Sequence, residues 1–216
     1  MPSPLADKIH NHFSQYPKRS CQKGQILIFA NESPEHIFYI VSGKVRVYDL
    51  SYRGDEVVIN VFKPPAFFPM SWAINKTPNA YFYKTEEATT LHIVPAADAL
   101  EFIKSNPDIM LDLLSRLYEG VEGLLGRMVH LMSGTARSRV IYDLIIECRR
   151  FSKQKSANSF ELQATELDIA SHSGLSRETV SREIKKLKKE NLVRIDGHTI
   201  VIENIAGLEQ LLGMEL

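Results

Sequence analysis

The segment from Thr165 to Val193 constrains this 216-residue chain more than any other: Thr165-Glu-Leu-Asp-Ile-Ala-Ser-His-Ser-Gly-Leu-Ser-Arg-Glu-Thr-Val-Ser-Arg-Glu-Ile-Lys-Lys-Leu-Lys-Lys-Glu-Asn-Leu-Val193. Thr165 is placed to cap a helix whose first turn is acidic, which suits the positive end of the helix dipole. Ser173-Gly174-Leu175 reads as a tight turn, with Gly174 supplying a left-handed backbone. Ser176 is placed to cap a second helix. On a wheel of about 100° per residue starting at Arg177, the residues Ser181, Lys185, Glu178 and Arg182 fall within about 140°. Val180, Ile184 and Leu187 gather on the nearly opposite side, an apolar stripe made to dock on the first helix. After the second helix, Val193–Ile195 and Thr199–Ile202 flank Asp196-Gly197, a strong hairpin cue. Two capped helices joined by a glycine turn and followed by a hairpin predict a winged helix-turn-helix.

In that arrangement the second helix enters the major groove of double-stranded DNA by its N-terminal turns. Ser176, Arg177, Glu178, Ser181 and Arg182 then face base edges. Arginine can pair with guanine O6 and N7, and glutamate can accept from cytosine N4. Lys185, Lys188 and Lys189 continue the cationic face and suit phosphates. The competing reading is a solvated amphipathic helix. Net charge does not decide between the two, because 26 basic and 26 acidic residues cancel. Any basic footprint is therefore local.

Upstream, Met110, Leu114, Leu117, Val121, Leu124, Met128 and Leu131 are spaced alternately by four and three residues. This is the seam of a coiled coil about three heptads long, and it has to be buried against something. A parallel homodimer is the favoured partner, and packing on the chain's own domain is the alternative. Gly120, Gly123 and Gly126 weaken such a helix and permit close approach or bending. The following segment reads as a helix carrying Val140, Ile141, Leu144, Ile145 and Cys148, then as a polar loop from Ser152 to Ser159. Residues 20 to 95 read instead as closely spaced short strands. Ile26–Phe29 and Ile37–Val41 are apolar runs, and Val45, Val47, Val57, Ile59 and Val61 alternate at period two around the turn Arg53-Gly54-Asp55. Tyr81–Tyr83 and Thr90–Val94 continue the pattern of a sandwich, roll or barrel. The expected fold class is thus α+β. The division is a β-roll sensor domain over 1–106, a dimerisation helix over 107–133 and a winged helix-turn-helix DNA-binding domain over 134–216.

The stretch Leu175-Ser-Arg-Glu-Thr-Val-Ser-Arg182, with Leu187, Asn191-Leu192-Val193 and the Gly197-His-Thr-Ile-Val hairpin, resembles the catabolite activator / fumarate-nitrate regulator (Crp/Fnr) family. Lys23-Gly24-Gln25-Ile26-Leu27 and Ile37-Phe-Tyr-Ile-Val-Ser-Gly-Lys-Val45 are similar to its cyclic-nucleotide-binding-type β-roll, so the likeness covers nearly the whole chain. It implies a cytoplasmic, homodimeric transcription regulator bound to a pseudo-palindromic site. By the same likeness Arg177, Glu178 and Arg182 match base-reading positions of the catabolite activator branch, and Glu178, Ser181 and Arg182 those of the fumarate-nitrate branch. The half-site is then related to TGTGA or TTGAT. The 152–159 loop lies where family activators meet RNA polymerase.

Cyclic-nucleotide-binding members hold ribose and phosphate with a Gly-Glu-Leu segment and an Arg-Ser pair. The corresponding segments here are Phe68-Pro69-Met70-Ser71-Trp72 and Thr77-Pro78-Asn79-Ala80, without the glutamate and the arginine. A buried cyclic phosphate needs a guanidinium or a cluster of N–H donors, and Pro69 and Pro78 remove two donors. A small-molecule effector other than cyclic AMP is expected. Phe68, Met70, Ser71, Trp72, Asn79 and Tyr81 are the pocket candidates, and the alternative is that the aromatic cluster is plain core. No cofactor is specified: two cysteines, Cys21 and Cys148, are too few for an ordinary iron–sulfur cluster, and lone histidines such as His36 and His92 do not single out a haem. No metal-ligand spacing, nucleophile motif or phosphate-cradling glycine loop is apparent, so no catalytic residue and no enzymatic activity is expected. A cyclic-nucleotide-type domain regulating another protein is the rival function, and the face carrying Arg177, Glu178 and Arg182 discriminates against it. No signal peptide or apolar run near the ~20 residues of a bilayer span is present, so no membrane partner is expected.

Overall fold

The computed structural model describes residues 4–213 except 53, 55 and 198. In chain order the first elements are α1 (Pro4–Phe13), β1 (Lys18–Cys21), β2 (Ile26–Ile28), β3 (His36–Ser42), β4 (Val45–Leu50), β5 (Glu56–Phe62), β6 (Ala66–Phe68), α2 (Met70–Asn75), β7 (Phe82–Thr85), β8 (Thr89–Pro95) and α3 (Ala96–Lys104). Then come α4 (Pro107–Ser133), α5 (Ala136–Phe151), β9 (Lys153–Gln154), β10 (Phe160–Leu162), α6 (Glu166–Ser173), α7 (Arg177–Lys189), β11 (Val193–Asp196), β12 (Thr199–Ile202) and α8 (Ile205–Leu211). The boundary between two compact units falls inside α4, between Leu117 and Tyr118. No helix among the described residues is long and apolar enough to cross a membrane.

In the N-terminal unit two antiparallel four-stranded sheets, ordered β1-β8-β3-β6 and β2-β7-β4-β5, make the β-roll. The run Ile37–Val41 is continuously apolar because β3 is buried on both faces, unlike a half-solvated strand that alternates. Phe38 and Ile40 point into the roll with Phe68, Tyr83 and Leu91. Ile37 and Tyr39 point the other way, into a cluster with Ile9, Phe13, Phe67, Phe102 and Ile109. That second cluster needs α1 and α3, two helices the sequence reading does not anticipate, and α2 also interrupts the span read as strand. The β4–β5 hairpin pairs Leu50 with Glu56; Arg53 and Asp55 of its expected turn lie outside the described residues.

The C-terminal unit is a winged helix-turn-helix. Its sheet runs β11-β12-β10-β9, and its core joins Val140, Leu144 and Ile145 of α5 to Ile169, Val180, Ile184 and Leu187. The polar segment 152–159 is not a plain loop. β9 pairs with β10, and the Lys155 amide donates to the Ser159 carbonyl at 2.9 Å, so the segment is a short hairpin.

Candidate nucleic-acid interface

The helix-turn-helix is fixed by local chemistry. Thr165 Oγ1 accepts from the Asp168 amide at 3.3 Å while the Asp168 carboxylate accepts from the Thr165 amide at 2.7 Å. This reciprocal capping box satisfies two amides at the start of α6. Gly174 ends α6 with φ of 64°, in the left-handed region, and its amide reaches the Ala170 carbonyl. Any other residue there would be strained. Ser176 Oγ accepts from the Thr179 amide at 3.2 Å and starts α7.

Val180, Ile184 and Leu187 are fully buried on one side of α7. Ser176, Arg177, Glu178, Arg182, Lys185, Lys188 and Lys189 are exposed, and Ser181 is half-buried between them. The α7 residues predicted from the sequence therefore share one outer face. Among the described residues Arg177, Lys185, Lys188 and Lys189 make no ion pair, whereas Lys186 is tied to Glu183 at 2.7 Å. Arg182 donates to Thr179 Oγ1 at 3.2 Å. The Glu178 carboxyl is held below the ordinary range, chiefly by its backbone amide and then by the Ser176 hydroxyl and the nearby Arg177 charge. It is thus an acceptor at neutral pH. At the far end Arg137 pairs with Glu190 at 2.6 Å. In the wing Arg194 is spent on Asp196 and Glu203, each at 3.0 Å. His198 lies outside the described residues.

The seam of α4 is solvent-facing in the single chain. Its seven residues, Met110 to Leu131, are 40–61% exposed. Leu111, Tyr118, Leu125 and Met132, each following a seam residue, widen the apolar face. The three glycines of this helix differ in role. A Cβ at Gly126 would lie 1.7 Å from Tyr142 Oη, one at Gly123 would make an ordinary 3.8 Å contact with Ile146, and one at Gly120 would meet nothing. Gly126 alone is required for α4 to lie against α5.

The six effector-segment candidates do not converge. Phe68 is fully buried among Phe38, Phe62 and Tyr83 inside the roll. Met70 and Trp72 lean on the other cluster, with Phe67 and Tyr39. Ser71 and Tyr81 are exposed. Asn79 is buried, and its amide donates to the carbonyls of Phe29 and Tyr81, so it ties the loop rather than offering donors to a ligand. Lys76, exposed beside Trp72, is the only charged residue between positions 69 and 81.

A group that sequence reasoning missed lies in the C-terminal unit. Arg127 of α4 reaches Asp143 and Glu147 of α5, each at 2.9 Å. His172 of α6 completes the group, with Nδ1 3.5 Å from Asp143 and 3.6 Å from Glu147. All four side chains are largely buried. Burial disfavours the charged imidazole, but Asp143 and Glu147 outweigh both that and the opposing Arg127 charge, raising the His172 pKa. The signal available in the sequence was the i, i+4 pair Asp143 and Glu147 set among the apolar residues of α5.

Comparison with known proteins places both units. A sequence model of the Crp-like helix-turn-helix domain matches residues 138–211, and one of the cyclic nucleotide-binding domain matches 18–106. The cAMP-activated global transcriptional regulator CRP of Haemophilus influenzae is 24% identical, over 89% of this chain and 84% of that protein. The fumarate and nitrate reduction regulatory protein of Yersinia pestis is 27% identical, over 91% and 78%. Among solved structures, a CooA mutant from Carboxydothermus hydrogenoformans superposes with a TM-score of 0.80 at 20% identity, covering 98% of this chain and 97% of that one. The sensor-type roll, the long helix and the Crp-like helix-turn-helix together show that the chain belongs to the Crp/Fnr family of DNA-binding transcription regulators.

Proposed function

We propose that this regulator acts as a homodimer that reads a pseudo-palindromic double-stranded DNA site. The observation that carries the reading is the outer face of α7. Arg177, Glu178, Ser181 and Arg182 stand beside the Ser176 cap, and Lys185, Lys188 and Lys189 follow without ion-pair partners among the described residues. The first group reads base edges and the lysines hold phosphates. The seam Met110, Leu114, Leu117, Val121, Leu124, Met128 and Leu131 supplies the dimer contact, because two-fold pairing would cover a face that the single chain leaves open. Functionally the chain divides into 1–106 for sensing, 107–133 for dimerisation and 134–216 for DNA binding, and it works in the cytoplasm where its DNA is.

The sensor half answers a small molecule other than cyclic AMP. Support comes from the 69–81 segment, which offers no arginine and no glutamate, and whose buried Asn79 is already bonded to backbone. The hairpin at 152–159 is the surface offered to RNA polymerase for activation. Selection from random duplexes tests the central part. The expected product is an inverted repeat with half-site centres about 10–10.5 bp or a multiple apart. Recovery of no enriched sequence would contradict it. For the sensor, calorimetry with cyclic AMP should show no binding below about 10 μM, equivalent to about −7 kcal/mol; tighter binding would reverse that assignment.

A further inference from the structure

The cluster of Arg127, Asp143, Glu147 and His172 holds two orphaned atoms side by side. Asp143 Oδ2 and His172 Nδ1 are buried, and neither has a hydrogen-bond partner among the described residues. Their carriers are 2% and 8% exposed at the side chain. Buried polar groups without partners are costly and uncommon. The 3.5 Å gap between the two atoms is long for a charge-assisted hydrogen bond, which closes to about 2.7–2.9 Å.

The same gap suits a different arrangement. A tetrahedral ion with bonds of about 2.0–2.1 Å separates its ligand atoms by about 3.4 Å. His172 Nδ1 lies 3.5 Å from Asp143 and 3.6 Å from Glu147. The third edge, between the carboxylates, is within 4.8 Å. Arg127 bridges these carboxylates, and its Nε donates to Asp143 Oδ1 at 3.0 Å. It therefore leaves Asp143 Oδ2, the oxygen turned to the imidazole, for another cation. A cavity of about 10 Å³, lined among others by His130, Tyr142, Asp143, His172 and Ser173, opens on this point. That is room for one water-sized occupant. With His172 neutral the group carries one net negative charge.

We propose that Asp143, Glu147 and His172 form a binding site for a divalent first-row transition metal ion, of which Zn²⁺ fits the spacing and the nitrogen–oxygen ligand set. One imidazole and two carboxylates are borderline-to-hard donors that accept Zn²⁺, Mn²⁺ or Co²⁺ and offer nothing soft for Cu⁺. Two ligands come from α5 and one from α6. An ion there cross-links the scaffold helix to the first helix of the helix-turn-helix, the helix on which α7 is docked. Arg127 holds the outer Oδ1 of Asp143, but on Glu147 its Nη2 lies 2.9 Å from Oε1, the oxygen that also faces His172, so an ion there shares that oxygen with the guanidinium and competes with it for the carboxylate charge.

The test uses the full chain, stripped with a chelator and titrated with Co²⁺ as a spectroscopic probe and Zn²⁺ as competitor. The expected result is visible d–d absorption saturating at one ion per chain, without a thiolate charge-transfer band, and displaced by Zn²⁺. In His172→Gln the affinity should fall by more than the roughly 10–100-fold that loss of an outer-shell partner costs. If that variant does not fold, the isosteric Glu147→Gln carries the same expectation. Absence of bands in the folded wild type, bands undiminished in the folded variant, or a thiolate band would overturn the proposal. DNA affinity of the Co²⁺-loaded protein is read on the same samples. Failure to bind DNA there while the metal bands appear counts against the proposed function and leaves the metal site standing.

Discussion

α7 and α4 are both amphipathic, and they dispose of their apolar stripes in opposite ways. In α7 the stripe of Val180, Ile184 and Leu187 is fully buried within its own unit, and the polar face turns outward. In α4 the stripe itself turns outward, with Leu117 61% and Met128 54% exposed. The same sequence grammar therefore has two outcomes, decided by whether the covering partner belongs to the chain. A helix whose partner is internal frees its polar face for recognition of a ligand. One that finds no partner in its own chain leaves its apolar face open, and under the proposed function that face is offered to another copy.

The comparison breaks first at α4. Leu124→Glu would place an unpaired charge in the seam twice per dimer, at a cost of several kcal/mol. Sedimentation should then show monomers where the wild type at micromolar concentration is dimeric. A monomeric wild type would mean that the exposed stripe has another use. Next in size is Arg127→Met, which leaves Asp143 and Glu147 buried without their counter-charge. Breaking a buried pair costs about 3–5 kcal/mol, and calorimetry should show the C-terminal unit melting well below the wild type. Gly126→Ala tests the closeness of α4 to α5. Its Cβ meets Tyr142, and overpacking costs about 1–3 kcal/mol; an unchanged melting point would refute the required approach.

The smallest expected effect is a pH dependence. His172 is faced by Asp143 and Glu147 from α5 and Arg127 from α4, and its pKa is raised in the folded chain. A raised imidazole stabilises the fold fully below its unfolded value of about 6.5, and that contribution is lost as pH rises through the folded value. In chelator-treated protein, melting points should fall from pH 6 to pH 8 and do so less in His172→Gln. Equal slopes would remove His172 from the account.

How much of this was legible in the sequence depended on range. The helix-turn-helix was readable because Thr165, Gly174, Ser176 and the Asp196-Gly197 turn act on backbone within four residues of themselves. The α4 seam was readable from periodicity alone, although periodicity names no partner. The effector candidates were not legible as separate groups because Phe68 ends β6 inside the roll while Met70 and Trp72 begin α2 and lean on the other cluster. α1 was missed because only Ile9 and Phe13 of its mixed sequence are buried, although Ser3, Pro4 and Asp7 form a helix-start pattern in the sequence that went unread. The charged cluster was missed because Arg127 and His172 stand 45 positions apart in the chain and meet only through tertiary packing.

The central claim, that the outer face of α7 reads sequence, is tested most directly by one paired measurement. Arg182→Ala and Lys188→Ala are each titrated against a selected site and against a scrambled duplex over a range of salt. Arg182→Ala should lose about 1–3 kcal/mol per half-site on the selected site and relax preference at one G·C pair, with little change on the scrambled duplex. Lys188→Ala should weaken both duplexes alike and reduce the salt slope by about one phosphate contact per subunit. Equal losses on both duplexes for Arg182→Ala would contradict the account by making Arg182 a phosphate clamp.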